Sequence, residues 1–362
     1  YFQETITLED HTIISAGKID GMVIKYSNEG KVEWAKNIGG SSSDYIESIA
    51  ATEDGGYIIG GTFESNSLNC GNGITLTNMG KDDGMLIKYS SQGEAEWAII
   101  VGGTQDDRIK SVVETSDNSY LIGGYFKSTT ITIGSYIFEN KSNQYSNGML
   151  FKCDSKGKVE YATAIGDSDA SEEITSVVEI SNGKYIAVGS FKDKIMVGNY
   201  ELTSTAGYDG MIIEYSTKEK AELFINKANI IGTNKNDEIK GIIKTDDGGY
   251  IAVGNTLEGD ILKYDKNERI EWKRETQGKI NSIIELKNGD YLAVGNTPLG
   301  DILRYNLDGT LEWSKATEYT FYSAMETENG DYILGTSTGL INRYDEAGNM
   351  KWSKKSEVIL IR

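Results

Sequence analysis

Carboxylates are the side chains of this 362-residue sequence whose type and spacing are most suited to chemistry. One set precedes an apolar segment that ends in Tyr: Asp20, Asp83, Asp209, Asp260 and Asp301. A second set opens the following β-branched segment: Asp44, Asp107, Glu172 and Asp237. These groups could bind Ca²⁺ through oxygen ligands or attract a cationic partner. The structural alternative is an Asx-turn, in which an Asp at the start of a strand accepts hydrogen bonds from free backbone amides.

Histidine and cysteine offer little for catalysis. The one histidine, His11, aligns with the turn residue Gly55, so no Ser-His-Asp or Cys-His arrangement is indicated. Cys70 and Cys153 occupy positions that are apolar or aromatic in related segments, which favours buried thiols over a disulfide or a nucleophile. Clusters of Cys or His typical of zinc sites are absent from the sequence, and no cofactor is predicted.

Composition and charge exclude several kinds of partner. The net charge of −19 disfavours nucleic acids and anionic membrane surfaces, which need clustered Lys and Arg. No apolar run is long enough to cross a bilayer, so membrane insertion is not expected. Residues 1–3, Tyr-Phe-Gln, look like the remnant of a cleavable expression tag, which predicts that native sequence begins at Glu4 and that the cloning removed any export signal.

A Tyr followed eight residues later by a Trp is the clearest internal repeat. Two degenerate copies, Cys153/Tyr161 and Tyr215/Leu223, keep the same separation and bring the count to seven. The five complete copies are Tyr26/Trp34, Tyr89/Trp97, Tyr264/Trp272, Tyr305/Trp313 and Tyr344/Trp352. A segment of the type Tyr-Ile-Ile-Gly-Gly precedes each copy, and in most copies a Gly-containing turn and a further β-branched segment come before it.

Each repeat therefore predicts four antiparallel strands, A to D, and the chain is predicted to be an all-β, seven-bladed β-propeller. One domain is predicted over 4–362, with blades at about 4–37, 45–100, 108–164, 173–227, 238–275, 279–316 and 320–354. We interpret the aromatic ladder as packing between blades. Residues 357–362 are predicted to be a closing strand beside Ile6–Leu8, so that both termini meet in one blade.

These units resemble the bacterial seven-bladed β-propeller repeat family, which is found largely in secreted and surface proteins. The residues that carry the resemblance are 20–26 through Gly30 to Trp34, 39–44 and 54–61. The resemblance implies the fold and an extracellular or cell-surface location, but no particular activity. The segment from Gly30 to Trp34 also looks like the tryptophan motif of pyrroloquinoline-quinone propellers; those enzymes typically have eight blades and a ring of adjacent cysteines, which this sequence lacks.

Repeats 2, 3 and 4 carry related insertions between strands B and C. The distance from the strand B Gly to the strand C Tyr position is 28, 29 and 26 residues in these repeats, against 9 or 10 in the others. Each insertion reads as a short hairpin around a Gly-Asn or Gly-Ser turn. The hairpins share one face with the D-to-A connections, and loops on a rigid scaffold often carry function. The predicted binding residues are the hairpin tips Asn72, Ser135, Tyr136, Asn199 and Tyr200.

The leading hypothesis is a non-enzymatic binding or display module of a secreted or surface bacterial protein. It would bind a glycan or a protein through the hairpin face, as a monomeric domain of a longer chain. One alternative is a glycoside hydrolase or lyase that uses two carboxylates near the propeller axis. Another is a structural spacer between neighbouring domains of a larger surface protein.

Overall fold

The chain folds into short antiparallel sheets arranged as a β-propeller. The computed structural model describes residues 1–27, 31–142, 144–166, 170–218, 222–232, 236–256, 259–336 and 340–355. Six four-stranded sheets follow one another along the chain, and each connects consecutive antiparallel strands A to D. We number these blades 2 to 7 after the repeats that form them. No helix among the described residues has the length and apolar character needed to span a membrane.

The strand bounds follow the predicted repeat units. In blade 2 the strands are β5 (Asp44–Ala51), β6 (Tyr57–Phe63), β9 (Asp83–Tyr89) and β10 (Ala95–Val101), with the inserted hairpin β7 (Ser67–Gly71) and β8 (Ile74–Thr77). In blade 3 they are β11 (Asp107–Glu114), β12 (Tyr120–Phe126), β15 (Asn147–Cys153) and β16 (Val159–Ile165), with the hairpin β13 (Thr130–Ile133) and β14 (Tyr136–Glu139). In blade 4 they are β17 (Glu173–Ser181), β18 (Lys184–Val197), β19 (Tyr200–Lys218) and β20 (Glu222–Ile231).

The last three blades have no inserted hairpin. Blade 5 contains β21 (Glu238–Lys244), β22 (Tyr250–Asn255), β23 (Ile261–Tyr264) and β24 (Ile270–Arg274). Blade 6 contains β25 (Lys279–Glu285), β26 (Tyr291–Thr297), β27 (Gly300–Tyr305) and β28 (Leu311–Lys315). Blade 7 contains β29 (Phe321–Glu326), β30 (Tyr332–Thr336), β31 (Leu340–Tyr344) and β32 (Met350–Lys355).

The prediction of seven four-stranded blades is wrong, because the structure contains six. Repeat 1 forms two separate two-stranded sheets, β1 (Thr5–Leu8) with β2 (His11–Ile14) and β3 (Gly21–Tyr26) with β4 (Val32–Ile38). These hairpins pack between blades 7 and 2: Ile6 and Leu8 share a core with Ile341, and Val23 shares one with Ile59.

Local pairing explains why repeat 1 does not make one sheet. The backbones of Phe2 and Asp20 exchange two hydrogen bonds of 2.8 and 2.9 Å, and the Asp20 carboxylate accepts the amide of Ala16 at 2.6 Å. The chain between β2 and β3 therefore pairs with Phe2 instead of continuing a ladder. The predicted closing strand, 357–362, lies outside the described residues. The tag origin of residues 1–3 and the single-domain bounds stay predictions.

The strand B glycine, the second anchor of the repeat, has a packing cause. In blades 2 to 6 a Cβ at this position would overlap the carbonyl oxygen of a strand A residue, as Gly254 would overlap Glu238. A β-bulge in strand A brings this carbonyl close, and the same register shift occurs in all six blades. Strands A of neighbouring blades contact one another, so these bulges surround the propeller axis.

The aromatic ladder packs between blades, as predicted. A strand D Trp lies against the strand B Tyr of the next unit, with ring centroids 5.4 Å apart for Trp34 and Tyr57 and 5.7 Å apart for Trp272 and Tyr291. Both cysteines are free and buried, also as predicted. Burial raises the pKa of the Cys70 thiol to about 11, which suits a packing residue better than a nucleophile.

Candidate functional site

The inserted hairpins are present in blades 2, 3 and 4, but they fold back against their own blades. Leu68 and Cys70 of β7 are buried against Tyr89 and Ala95 of blade 2. In blade 4 the insertion is a continuation of β18 and β19 that pairs Val197 with Tyr200. The hairpins therefore cover the outer wall of the propeller, formed by the edge strands β10, β16 and β20.

The five predicted tip residues lie at this wall. Asn72 Nδ2 donates to the Ala95 carbonyl at 3.1 Å, and the Tyr136 hydroxyl donates to the Glu160 carbonyl at 2.9 Å. The Tyr200 hydroxyl likewise donates to the Asn226 carbonyl. Ser135 and Asn199 are exposed at their turns. The tips are thus dispersed over three blades, and their ligand-binding role stays a prediction.

The predicted carboxylates hydrogen-bond to backbone amides, but not in the local Asx-turns that were one interpretation, because these amides lie four residues before the carboxylate or sixteen or more residues after it. All except the half-buried Asp301 are buried. Those that accept backbone amides are Asp20, Asp44, Asp83, Asp107, Asp209, Asp260 and Asp301. Asp44 accepts from Gly40 at 2.7 Å, Asp209 from Thr205 at 2.8 Å and Asp260 from Thr276 at 2.6 Å. No group of three or more His, Cys, Asp or Glu residues that could hold a metal ion occurs in the part of the chain that the structure describes. A Ca²⁺ role for Asp20, Asp44, Asp83, Asp107, Glu172, Asp209 and Asp237 stays a prediction.

Two of these carboxylates are neighbours in adjacent blades. Burial raises the pKa values of Asp83 and Asp107 to about 6, and the charge of Asp107 adds to the effect on Asp83. Asp107 accepts the Lys127 amide at 3.0 Å, the Ser128 amide at 3.1 Å and the Ser128 hydroxyl at 2.6 Å. Asp107 therefore joins the start of strand A to the B-to-C connection of blade 3.

An open cleft of about 390 Å³ lies near the axis on the hairpin face, where strands A of blades 4, 5 and 6 begin. We call it the axial cleft. Carboxylates dominate the charged lining among the residues that the structure describes, with Glu172 and Glu173 from blade 4, Asp237 and Glu238 from blade 5, and Lys279 as the single described cation. Ser190, Tyr208 and Asn255 complete its polar wall. The cleft can accommodate a cation that brings its own hydrogen-bond donors.

Glu173 is an acid of the axial cleft whose pKa is shifted by its surroundings. Burial raises its pKa; Lys110 opposes the rise, and the nearby charge of Glu238 adds to it. The Ser190 hydroxyl donates to the Glu173 carboxylate at 3.2 Å. A second positive charge would stabilise both ionised carboxylates, so the geometry favours a cationic ligand.

Polar bulge residues form a belt around the axis below this cleft. Lys110 Nζ lies 2.9 Å from the Glu47 carboxylate, and Lys240 Nζ lies 3.2 Å from Asn281 Oδ1. The Thr175 hydroxyl donates to the Ile239 carbonyl at 2.7 Å. Each contact joins strands A of adjacent blades, so the belt couples them mechanically.

Sequence reasoning missed Glu173, Glu238 and the belt. The available signal was the polar residue after each strand A Ile, such as Lys110 after Ile109, which interrupts an otherwise apolar strand. Glu173 and Glu238 each follow a predicted carboxylate directly.

A second cleft of about 460 Å³ on the same face is lined by Glu64, Asp82 and Asp106 with Lys81. Asp82 is paired with Arg108 at 3.0 Å.

The hydrolase alternative requires two carboxylates in a central pocket. Glu173 and Glu238 line such a pocket, and the pKa of Glu173 is raised as a general acid requires. The same features suit a cation-binding cleft. The enzymatic alternative therefore stays a prediction.

Relatives among curated proteins are distant. No family model matches the chain. The regulatory protein FlaEY of Caulobacter vibrioides is 22% identical over 263 residues, which are 68% of this chain and 27% of that protein. A WD repeat-containing protein of Acanthamoeba polyphaga mimivirus is 27% identical over 146 residues, 39% of this chain and 10% of that protein. The chain thus spans about a quarter or less of these relatives.

Solved structures show the fold. The β-propeller domain of Cps50 (Swd1) from Myceliophteria thermophila aligns with a TM-score of 0.54 at 10% identity and covers 86% of each chain. The chain is therefore a β-propeller, as the repeat pattern predicted. Membership of the bacterial repeat family stays a prediction, since the similarity extends to the architecture alone.

Proposed function

We propose that this chain is a protein-binding module that holds a basic polypeptide segment in the axial cleft. The observation that carries the proposal is the cleft itself, whose described lining contains four carboxylates and one lysine. A chain of net charge −19 would also attract basic segments at a distance. Loops on a rigid scaffold such as a propeller often carry binding sites, and the axial cleft lies where strands A of blades 4, 5 and 6 begin.

The ligand chemistry follows from the lining. Arginine and lysine side chains supply the positive charge and the N–H donors that Glu173, Glu238 and Asn255 would accept. The axial cleft lies on the hairpin face, which is the face that the sequence analysis expected to bind a partner. The comparisons give no support to a glycan partner, so the proposal is confined to protein. Residence outside the cell remains a proposal that the export of the natural chain would test.

The test is calorimetric titration of the chain with a blocked hexa-arginine peptide at neutral pH and low salt. We expect the double substitution Glu173→Gln and Glu238→Gln to weaken binding at least about tenfold, because both charges leave the cleft. The control Glu64→Gln removes one charge from the second cleft, and we expect it to change affinity less than about twofold. Equal binding by the parent and the doubly substituted chain would exclude the axial cleft as the site.

A further inference from the structure

One strand D position is aliphatic in all seven repeats but is covered in only some of them. It lies opposite the strand C Tyr position across a bulge, as Ala95 lies opposite Tyr89 and Ile270 opposite Tyr264. We call it the wall position. Its occupants are Val32, Ala95, Val159, Ile225, Ile270, Leu311 and Met350.

In blades 2, 3 and 4 the inserted hairpin covers the wall position with its turn glycine. A Cβ built on Gly71 would lie 3.9 Å from Ala95 Cβ, and one on Gly134 would lie 2.6 Å from Val159 Cβ. One on Gly198 would lie 3.0 Å from Ile225 Cβ. Only glycine therefore fits at Gly134 without displacing its neighbour. Close to each glycine, a side chain donates a hydrogen bond to a strand D carbonyl; the donors are Asn72, Tyr136 and Tyr200.

In blades 5, 6 and 7 no hairpin is present and the same position is open. Ile270 is 46% exposed, Leu311 37% and Met350 52%, whereas Ala95 under its hairpin is 1% exposed. The strands that carry these residues, β24, β28 and β32, are the outer edges of their sheets. The chain thus contains both the covered and the open form of one docking position.

We propose that the open wall positions of blades 5 to 7 dock a β-hairpin from a separate polypeptide. The hairpins of blades 2 and 3 define its chemistry, namely aliphatic and Thr residues around a Gly turn with a Tyr or Asn donor beside it. Residues 67–77 and 130–138 contain no Asp, Glu, Lys or Arg. An uncharged hairpin of this kind is not repelled by the acidic chain, unlike an acidic partner. This surface is separate from the axial cleft and does not depend on its function.

The probe is a head-to-tail cyclised peptide that contains residues 130–138 of this chain, titrated into the full chain and followed by NMR. We expect weak, saturable binding below about 1 mM, with perturbations at Ile270, Leu311 and Met350. The triple substitution of these residues by Ser should weaken binding at least about tenfold, because each removes an apolar contact. A linear peptide of scrambled sequence should not bind.

The matched control is Leu307→Ser, which changes an aliphatic residue that is 60% exposed in blade 6 but lies outside the wall position. It should leave the affinity unchanged. Thermal unfolding of every variant verifies folding, and since the three residues are exposed, we expect midpoints close to that of the parent. No binding at about 1 mM, equal binding by the triple variant, or equal loss in the Leu307 control would overturn the proposal. Self-association of the parent that the triple substitution abolishes would assign the surface to a second copy and would also overturn it.

Discussion

Contacts between individual atoms limit how closely the strands of this propeller can approach one another. The strand B glycines leave room for a carbonyl from the bulged strand A. In blades 4, 5 and 6 that carbonyl belongs to the first residue of strand A, which lines the axial cleft. In blade 5 the pair is Gly254 and Glu238, so the packing of the glycine and the placement of a cleft carboxylate are one feature.

Gly254→Ala is therefore expected to destabilise the chain by roughly 2–4 kcal/mol, because the new methyl group would displace the Glu238 carbonyl. The control Gly241→Ala lies in strand A of the same blade, and its nearest neighbour to an added Cβ, Val253 Cγ2, is 3.4 Å away. It should cost less than about 1 kcal/mol. Urea unfolding measures both values. Equal effects would show that the close approach does not constrain strand B.

The buried carboxylates predict a pH dependence of stability. The folded pKa of Asp107, about 6, exceeds the value near 3.9 expected for an unfolded Asp. The folded chain consequently binds this proton more tightly, so the stabilisation that Asp107 contributes is complete below about pH 4 and is lost as the pH rises through about 6.

Asp107→Asn should reduce this loss by on the order of 2 kcal/mol, measured by urea unfolding across that pH range. Asn retains the oxygen that accepts the Lys127 and Ser128 amides, and its amide group can donate to the Ser128 hydroxyl. An unchanged pH slope in the variant would contradict the assignment of this titration to Asp107.

At the scale of elements, the inserted hairpins are parts of their blades. Their sequences predicted both their existence and their turns, because a short alternating pattern around Gly is a local signal. The direction in which they fold depends on contacts with strand D, and no local pattern contains that information. Three of the tip residues that were predicted to face a ligand, Asn72, Tyr136 and Tyr200, consequently hydrogen-bond to their own blade.

Leu68→Ala should destabilise the chain by roughly 2–4 kcal/mol, since Leu68 in β7 is fully buried against Tyr89. Thr75→Ala in the adjacent strand β8 changes an exposed residue and should cost less than about 0.5 kcal/mol. Thermal or urea unfolding distinguishes the two. If Leu68→Ala were neutral, the hairpin would be a free arm, and its role as a binding element would regain support.

At the scale of the molecule, the repeat predicted the propeller but not its number of complete sheets. The spacing of Tyr26 and Trp34 matches the other repeats, and the aromatic packing of Trp34 on Tyr57 is regular. The backbone pairing of Phe2 with Asp20 separates repeat 1 into two sheets. The periodic pattern of the sequence does not show such pairing, because it involves residues outside the repeated positions. The axial cleft was hidden for a similar reason, because Glu173 and Glu238 are 65 positions apart in sequence and meet only where strands A surround the axis.

The most direct measurement of the central claim locates the ligand on the molecule. A hexa-arginine peptide with a terminal benzophenone group would be cross-linked to the chain by light, and mass spectrometry would identify the attachment sites. We predict attachment at Tyr208 and within 170–173 and 236–238, around the axial cleft. Attachment confined to the hairpin tips at 71–73, 134–136 and 198–200, or to the opposite face, would contradict the account.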